Sequence, residues 1–545
     1  MTDTLGAFLD TVCARDPQRE AVACAPSDRV TQRSTWHELR EASRQAAGRL
    51  VAAGVGKGTR VALLAPNGPE WLPIAFGVFR VGAVLVPLST LWTRDELAFA
   101  LAHADVQVLI CRSGFRKHDY LGRLAALLPE LATAVPGRLY AAAVPALRQV
   151  LVLGGESVSG GLARWDDLPA DVPETVLDGL ERAVSPTDLA TIFFTSGTTA
   201  RPKAVMHAHA ALVLSGRRIA ECLGIAVDDA WWGHMPLFWS GGFVIGALAT
   251  MAGGGRLVLQ ERVDPAAALA LLEAERCTIM AGWHQAAPLL EHPDFARRQL
   301  WLRKGSYHAL AERLLGPGHR AVGMYGMSET ATCVSAARFD DPPEIRQGTF
   351  GRPLPGMELR IADPESGRPL PAGAVGEILV RGATLMEGYY RVPRSHTFDA
   401  EGFFHTGDLG FLDAGGHLHF TGRLKDVIKT AGVNVAAIEI EETLTCHPAV
   451  RHAYVVGVPD PGRGENVAAF VVLAPGAEAS SDALLGFCRE RLASYKVPRH
   501  LFVIDAEAVP WTASGKVEKG ALRRLALDRL AAGDRSPHAA SERRG

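Results

Sequence analysis

Thr191-Ile-Phe-Phe-Thr-Ser-Gly-Thr-Thr-Ala-Arg-Pro-Lys-Ala-Val205 is the stretch from which the rest of the chain can be read. Leu189 to Phe194 is a short apolar run and reads as a strand. Thr195, Ser196, Gly197, Thr198 and Thr199 follow as five small residues, four of them hydroxylic. Pro202 interrupts a regular ladder, and Lys203 sets a cation just past the turn. Free backbone N–H groups, hydroxyls and one positive charge suit the oxygens of a polyphosphate. A Walker A loop is excluded, because no second glycine precedes Lys203 and Pro202 stands where its helix would begin. On its own the stretch reads equally well as a Ser/Thr-rich surface turn.

Upstream, helix-like and strand-like stretches alternate. Trp36 to Gly54 carries Leu39, Ala42, Ala46 and Leu50 at helical spacing and stops at glycine. The glycines of Gly54-Val-Gly-Lys-Gly58 lie between that helix and the strand Val61–Ala65, the reverse of a dinucleotide fingerprint, and read as a connecting turn. Glu70–Val81 and Arg94–His103 read as helices, Val84–Pro87 and Val106–Cys111 as strands. Residues 112–179 give only one clear element, a strand over Gln149–Leu153. This alternation predicts an α/β architecture with largely parallel strands.

Downstream, Ala208–Leu223 and Pro265–Glu275 read as helices, Trp231–Leu237 and Cys277–Ala281 as strands. Met235 to Gly255 carries no formal charge, but its proline and glycines predict a buried loop and core helix, not a membrane span. Val322-Gly-Met-Tyr-Gly-Met-Ser-Glu-Thr330 offers glycines for close approach, with Glu329 as a hard oxygen ligand beside the Thr330 hydroxyl. It also reads as a helix start in which Ser328 caps and Glu329 faces the dipole. From Pro353 the texture becomes short strands and Gly/Pro turns, an antiparallel β region. Within it, His405-Thr-Gly-Asp-Leu-Gly410 reads as a Gly-flanked turn whose Asp408 suits a ribose diol or an ordinary turn. Thr421-Gly-Arg-Leu-Lys-Asp-Val-Ile-Lys429, an acidic helix over Ile438–Leu444 and a small α+β region follow, with Lys516 on a late Gly-containing loop.

At 545 residues the chain is too long for one core, and 48% hydrophobic with 21% charged residues is an ordinary globular composition. A net charge of −2 argues against nucleic acid as a partner. The eight scattered cysteines form no Cys-x-x-Cys pair, so neither a zinc site nor a disulfide framework is expected. No basic region followed by an apolar run opens the chain, and a cytoplasmic location is expected.

The Thr/Ser/Gly loop, Tyr-Gly-Met-Ser-Glu-Thr, Thr-Gly-Asp, Gly-Arg-Leu-Lys-Asp and a late Gly-Lys stand in one order along the chain. In that order they resemble the adenylate-forming superfamily, which includes acyl-CoA synthetases, peptide-synthetase adenylation domains and beetle luciferases. The resemblance runs from Trp36 to Lys519. It implies a large multi-subdomain N-terminal α/β domain with a β region over 1–421 and a small mobile α+β C-terminal lid over 422–530; the polar residues 531–545 read as a disordered tail. It implies that Thr195, Ser196, Gly197, Thr198, Thr199 and Lys203 surround the β- and γ-phosphates of ATP. Tyr325 and Gly326, with Ser306-Tyr307 nearby, would face the adenine, Glu329 would hold Mg2+, and Thr330 would touch the α-phosphate. Asp408 would bind the ribose with help from Arg423, Lys425 would be the hinge, and Lys516 would bridge carboxylate and nucleotide. Lys429 and Gly432 would belong to the face that forms the thioester with coenzyme A.

Four departures from the family pattern shape the expected substrate. Ala200 replaces a loop glycine, Trp239 stands where many acyl-CoA synthetases carry histidine, Met324 replaces a frequent glycine, and Ser306-Tyr307 replaces Ala-Pro. Amino-acid-activating relatives place an aspartate at the Trp239 position, so an α-amino acid is not expected. Trp239, Phe243, Trp283, Met324 and Met327 are candidate walls of an apolar acyl pocket, and equally core residues. The expected reaction joins an uncharged aliphatic or aromatic carboxylic acid to AMP and then to CoA. The alternatives are a stand-alone enzyme loading a carrier protein, a luciferase-like oxygenase and a silent nucleotide-binding scaffold. No fused carrier domain follows Lys519, which favours CoA.

Overall fold

The computed structural model describes residues 3–155, 158–195, 202–282, 286–430, 433–461, 463–511 and 517–532. Two compact units are present: Met1–Glu358 with Val380–Phe404, and Leu359–Leu379 with His405–Gly545. The 421/422 boundary expected from the resemblance falls inside the second unit.

The first unit is built on two sheets. One has eight strands, in the order Gly388–Tyr389, Lys203–Ala208, Leu189–Thr195, Val84–Pro87, Arg60–Leu64, Val108–Arg112, Gln149–Leu153 and Leu162–Arg164. From Leu189–Thr195 to Leu162–Arg164 the pairs are parallel, while Lys203–Ala208 and Gly388–Tyr389 add antiparallel strands at one edge. The central strands are buried on both faces, which is why they read as unbroken apolar runs. The second sheet has seven strands, in the order Arg320–Val322, Lys304–Ser306, Ile279–Met280, Ala230–Gly233, Arg256–Gln260, Glu20–Ala25 and Gln32–Thr35. All its pairs are parallel except the last. Helices Trp36–Ala52 and Arg94–His103 begin at reciprocal capping boxes, Thr35 with Glu38 and Thr93 with Glu96.

Several elements differ from expectation. The predicted strand Trp231–Leu237 stops at Gly233, and Cys277–Ala281 shortens to Ile279–Met280. The uncharged segment 235–255 forms a π-helix over Gly241–Leu248 and an α-helix over Ala249–Gly253, both mostly buried. Among the described residues no helix is long and apolar enough to cross a membrane. Residues 112–179 hold a two-stranded ribbon and helices Tyr120–Leu127 and Glu174–Ala183, besides the predicted strand.

Most residues of a four-stranded sheet, Met357–Ala362, Gly376–Gly382, Phe404–Leu412 and Leu418–Arg423, fall in the second unit. That unit also has a five-stranded sheet in which Gly464–Leu473 pairs with Val450–Asp460, Val427–Thr430 and His500–Val503. Strand period two sorts the core of that sheet. Val467, Ala469 and Val471 pack under Ala437–Thr445 and Ser481–Arg491, whereas Ala468, Phe470 and Val472 face Leu522 and Ala526 of helix Lys519–Ala531. All eight cysteines are free thiols.

Candidate functional site

In the first unit, strands Leu189–Thr195 and Lys203–Ala208 pair antiparallel, with Thr195 opposite Lys203. The described strands on either side of the hydroxyl-rich stretch thus pair with each other, and a strand, not a helix, begins at Lys203, unlike a Walker A frame. Ser196, Gly197, Thr198, Thr199 and Ala200 lie outside the described residues, as do Trp283, Gly432 and Lys516. Lys203 Nζ stands 4.6 Å from the centroid of the Tyr389 ring. Tyr389 lies opposite Val205 on the edge strand, and its hydroxyl donates to Glu329 Oε1 at 2.8 Å. Burial and the Glu329 carboxylate push the phenol pKa well above its ordinary value, so it remains a donor.

Glu329 sits in a three-residue turn, Ser328–Thr330, which Met327 caps. The helix start with Ser328 as cap is thus not formed. Thr330 is fully buried, and its hydroxyl donates to Met327 O and accepts from Met327 N–H, each at 3.0 Å. Ala331 and Thr332 both adopt left-handed backbone, φ 48° and 80°, which stops the turn from continuing. The Ser215 hydroxyl holds this bend through Ala331 O at 2.6 Å. A Cβ on Gly326 would lie 2.2 Å from Thr332 O, so the close approach admits glycine alone. Backbone strain of this kind is tolerated where the surroundings over-determine it, and it clusters at functional sites.

His207 completes the support. Its Nε2–H donates to Ser328 O at 2.6 Å, and the Ser328 and Ser240 hydroxyls are 2.9 Å apart. Burial pushes the His207 and His209 imidazoles down to about 4. Their unfolded counterparts bind a proton below about pH 6.5, and the folded rings do so only near 4. Stability is therefore complete above about pH 6.5 and falls as pH drops toward 4, by on the order of 3 kcal/mol per ring. Melting temperatures at pH 7.5, 6 and 4.5 should decline stepwise, and His209→Gln should flatten the decline. An unchanged melting temperature down to pH 4.5 contradicts the assignment.

Ser306 and Tyr307 end one parallel strand, and Met324-Tyr325 follow the next. Ser306 pairs with Val322, and Tyr307 N–H donates to Val322 O at 2.7 Å. These four residues thus lie at the carboxyl ends of adjacent parallel strands, where open α/β sheets bind ligands. Tyr325 is buried with its ring edge-on to Phe350, centroids 6.3 Å apart. Met324 and Met327 are half-buried. Trp239 packs edge-on to Phe238 just ahead of the π-helix. Phe243 is fully buried among Trp71, Phe79 and Phe193, an aromatic core cluster.

In the second unit, Asp408 and Arg423 stand opposite each other on paired strands, with Arg423 Nε 3.3 Å from Asp408 Oδ1. The Thr-Gly-Asp segment is therefore part of strand Phe404–Leu412, not the predicted turn, although Gly407 carries φ 69° within it. The buried Glu377 accepts from Gly407 N–H at 3.0 Å and bonds His405 Nδ1 at 2.9 Å. Lys425 lies in the turn Leu424–Asp426, and burial lowers its ammonium pKa. Lys429 is on strand Val427–Thr430, its N–H donating to Glu465 Oε2 at 3.0 Å. Lys519 pairs with Glu441 at 2.8 Å.

Tyr389, His207 and Glu377 are the residues that sequence reasoning missed. Their partners are 28 to 121 positions away, and no local pattern announces such pairs. Among the described residues no group of three or more His, Cys, Asp or Glu side chains could hold a metal by itself. A single carboxylate at Glu329 fits a magnesium that arrives already bound to nucleotide phosphates.

Comparisons with known proteins show what the chain is similar to. Residues 9–390 match the family model for AMP-binding enzymes, and residues 439–516 match the model for the AMP-binding enzyme C-terminal domain. Feruloyl-CoA synthase of Amycolatopsis sp is 35% identical over 504 residues, 90% of this chain and 93% of that protein. The crystal structure of the anthranilate CoA ligase AuaEII in complex with anthranoyl-AMP superposes with a TM-score of 0.83 at 25% identity, covering 98% of both chains. ATP-bound MatB from Rhodopseudomonas palustris gives a TM-score of 0.78 at 27% identity, covering 95% of this chain and 98% of its own.

Proposed function

This chain belongs to the AMP-binding enzymes, in their acyl-CoA synthetase and ligase branch, and on that premise we propose that it activates an uncharged monocarboxylic acid, aliphatic or aromatic. The acid carboxylate attacks the α-phosphorus of ATP, pyrophosphate leaves, and the acyl-AMP carbonyl is then taken by the thiol of CoA with release of AMP. The observation that carries the reading is the Lys203–Tyr389–Glu329 chain. It joins the cation at the start of strand Lys203–Ala208 to a carboxylate suited to the metal of the nucleotide.

The residues divide the work. Thr195 to Thr199 and Lys203 take the β- and γ-phosphates, and Glu329 takes the magnesium that accompanies them. Held there, such an ion would supply positive charge against the leaving pyrophosphate. Tyr325, Gly326, Ser306 and Tyr307 border the adenine. Asp408, oriented by the neighbouring Arg423, accepts hydrogen bonds from the ribose hydroxyls. Thr330, with its hydroxyl tied to the Met327 backbone, supports the α-phosphate region by fixing the turn. Lys516 stabilises the charge that builds as the carboxylate attacks. The 422–530 domain then turns about Lys425 and brings Lys429 and Gly432 to the thioester-forming side.

Substrate choice rests on the absence of a charge at position 239. Tryptophan gives an α-ammonium group no counter-ion, and Met324 and Met327 add apolar surface. Relatives named for ferulate and anthranilate support an aromatic acid within the class. The test is thioester formation over a panel of aliphatic and aromatic acids, with free CoA and with a phosphopantetheinylated carrier protein as acceptors. Acyl-CoA with uncharged acids is the expected product. Turnover with the carrier protein alone, or only with amino acids, would overturn the reading.

A further inference from the structure

We infer that Tyr389 is a positioning residue that makes Glu329 present a single oxygen to the nucleotide-bound metal and holds Glu329 in register with Lys203. The inference rests on the reading of Glu329 given above, and goes beyond it by assigning a residue and a denticity.

One short segment makes all the necessary bonds. Met386 N–H donates to Glu329 O at 2.8 Å, and the Tyr389 hydroxyl donates to Glu329 Oε1 at the same distance. Glu387 N–H reaches Met206 O and Tyr390 N–H reaches Ala204 O, each at 2.8 Å. Backbone and side chain of Glu329 are therefore both tied to the segment that zips along the strand starting at Lys203. The Tyr389 ring turns its electron-rich face to Lys203 Nζ, an arrangement that attracts a cation. Tyr389 itself is nearly inaccessible at 8% exposure and sits edge-on to Phe404. It has little room to leave this position.

The chemistry follows from what the phenol occupies. A carboxylate oxygen that already accepts a strong hydrogen bond is a poorer metal ligand than its twin. Two-oxygen chelation would have to draw on an oxygen that the phenol already engages, whereas one-oxygen binding through Oε2 leaves that bond untouched. Magnesium takes few protein carboxylates and holds strict octahedral geometry, so a fixed single oxygen suits it better than a free carboxylate. Partners that orient a metal ligand in this way typically change metal affinity by about 10- to 100-fold when removed.

The experiment measures Mn2+ binding by electron paramagnetic resonance on the full chain, in the presence of a non-hydrolysable ATP analogue. Y389F deletes the hydroxyl and keeps the ring over Lys203. It should weaken metal affinity by about tenfold while metal-free binding of the analogue stays at the parental level. E329Q should weaken metal affinity more, and Y389F added to E329Q should cost nothing further. A merely structural tyrosine would instead give additive losses, or a loss of metal-free nucleotide binding. If Y389F folds poorly, Tyr389→Met, which keeps the edge-strand backbone without a donor, takes its place in the cycle. Parental metal affinity in Y389F, with a clear loss in E329Q, overturns the role of Tyr389 and leaves the proposed function standing. Parental affinity in E329Q overturns the reading of Glu329 itself, and this inference with it.

Discussion

Lys516→Ala is expected to slow acyl-AMP formation by about 10²- to 10³-fold, the usual loss when one preorganised transition-state charge partner is removed. Carboxylate and triphosphate repel each other, and negative charge accumulates on the α-phosphoryl oxygens as the new bond forms. Little covalent work is left to the protein, so positioning and cationic stabilisation carry the rate. On the proposed reading, Lys203 and a magnesium held by Glu329 would serve the β- and γ-phosphates, which leaves the attacking carboxylate to Lys516. Binding of ATP uses the other contacts and should survive the substitution. Pyrophosphate release in a single turnover without CoA reads the step directly, with nucleotide affinity measured on the same sample. Near-parental pyrophosphate release by the variant would refute the role of Lys516.

Lys425→Pro is expected to leave adenylation close to the parental rate and cut thioester formation by about 10²-fold, the scale of a misplaced reacting group. Lys425 is the middle residue of the turn Leu424–Asp426, where the first-turn position tolerates a missing N–H. Proline there freezes φ near −65° at the proposed hinge. Domain rotations of this kind are absorbed by one or two residues at an element end, so a locked torsion blocks the change and not the starting state. Quenched-flow measurement of acyl-AMP and acyl-CoA on one sample separates the two steps. Equal losses in both would count against a hinge at this residue.

The parts of the fold legible in the amino-acid sequence are those that local physics decides. Val84–Pro87 and Gln149–Leu153 occur as read, because a strand buried on both faces needs an uninterrupted apolar run. Arg94–His103 occurs as read because Thr93 and Glu96 mark its start. The π-helix over Gly241–Leu248 was not legible as such, since residues apolar on every side carry no periodicity. Ser328 resembles a helix cap by composition, yet two left-handed residues after Thr330 end the turn at once. His405–Gly410 resembles a turn by its glycines, yet it lies in strand Phe404–Leu412, which pairs with Leu418–Arg423 from Asp408 onward.

The same division holds for the site. Glu329, Lys203, Asp408 and Arg423 stand in short motifs, which is what makes them candidates from sequence. The bonds that aim these side chains come from residues distant in sequence, such as Tyr389 to Glu329 across 60 positions and Glu377 to Gly407 across 30. Hydrogen bonds of that range depend on strand register, which no single stretch encodes.

Acid-dependent exchange of labelled pyrophosphate into ATP, in the absence of any thiol, tests the central claim most directly. Exchange should appear only when an uncharged carboxylic acid is present, with AMP as the nucleotide product once CoA is added. Release of ADP and inorganic phosphate, or no acid-dependent exchange across aliphatic and aromatic acids, would contradict it.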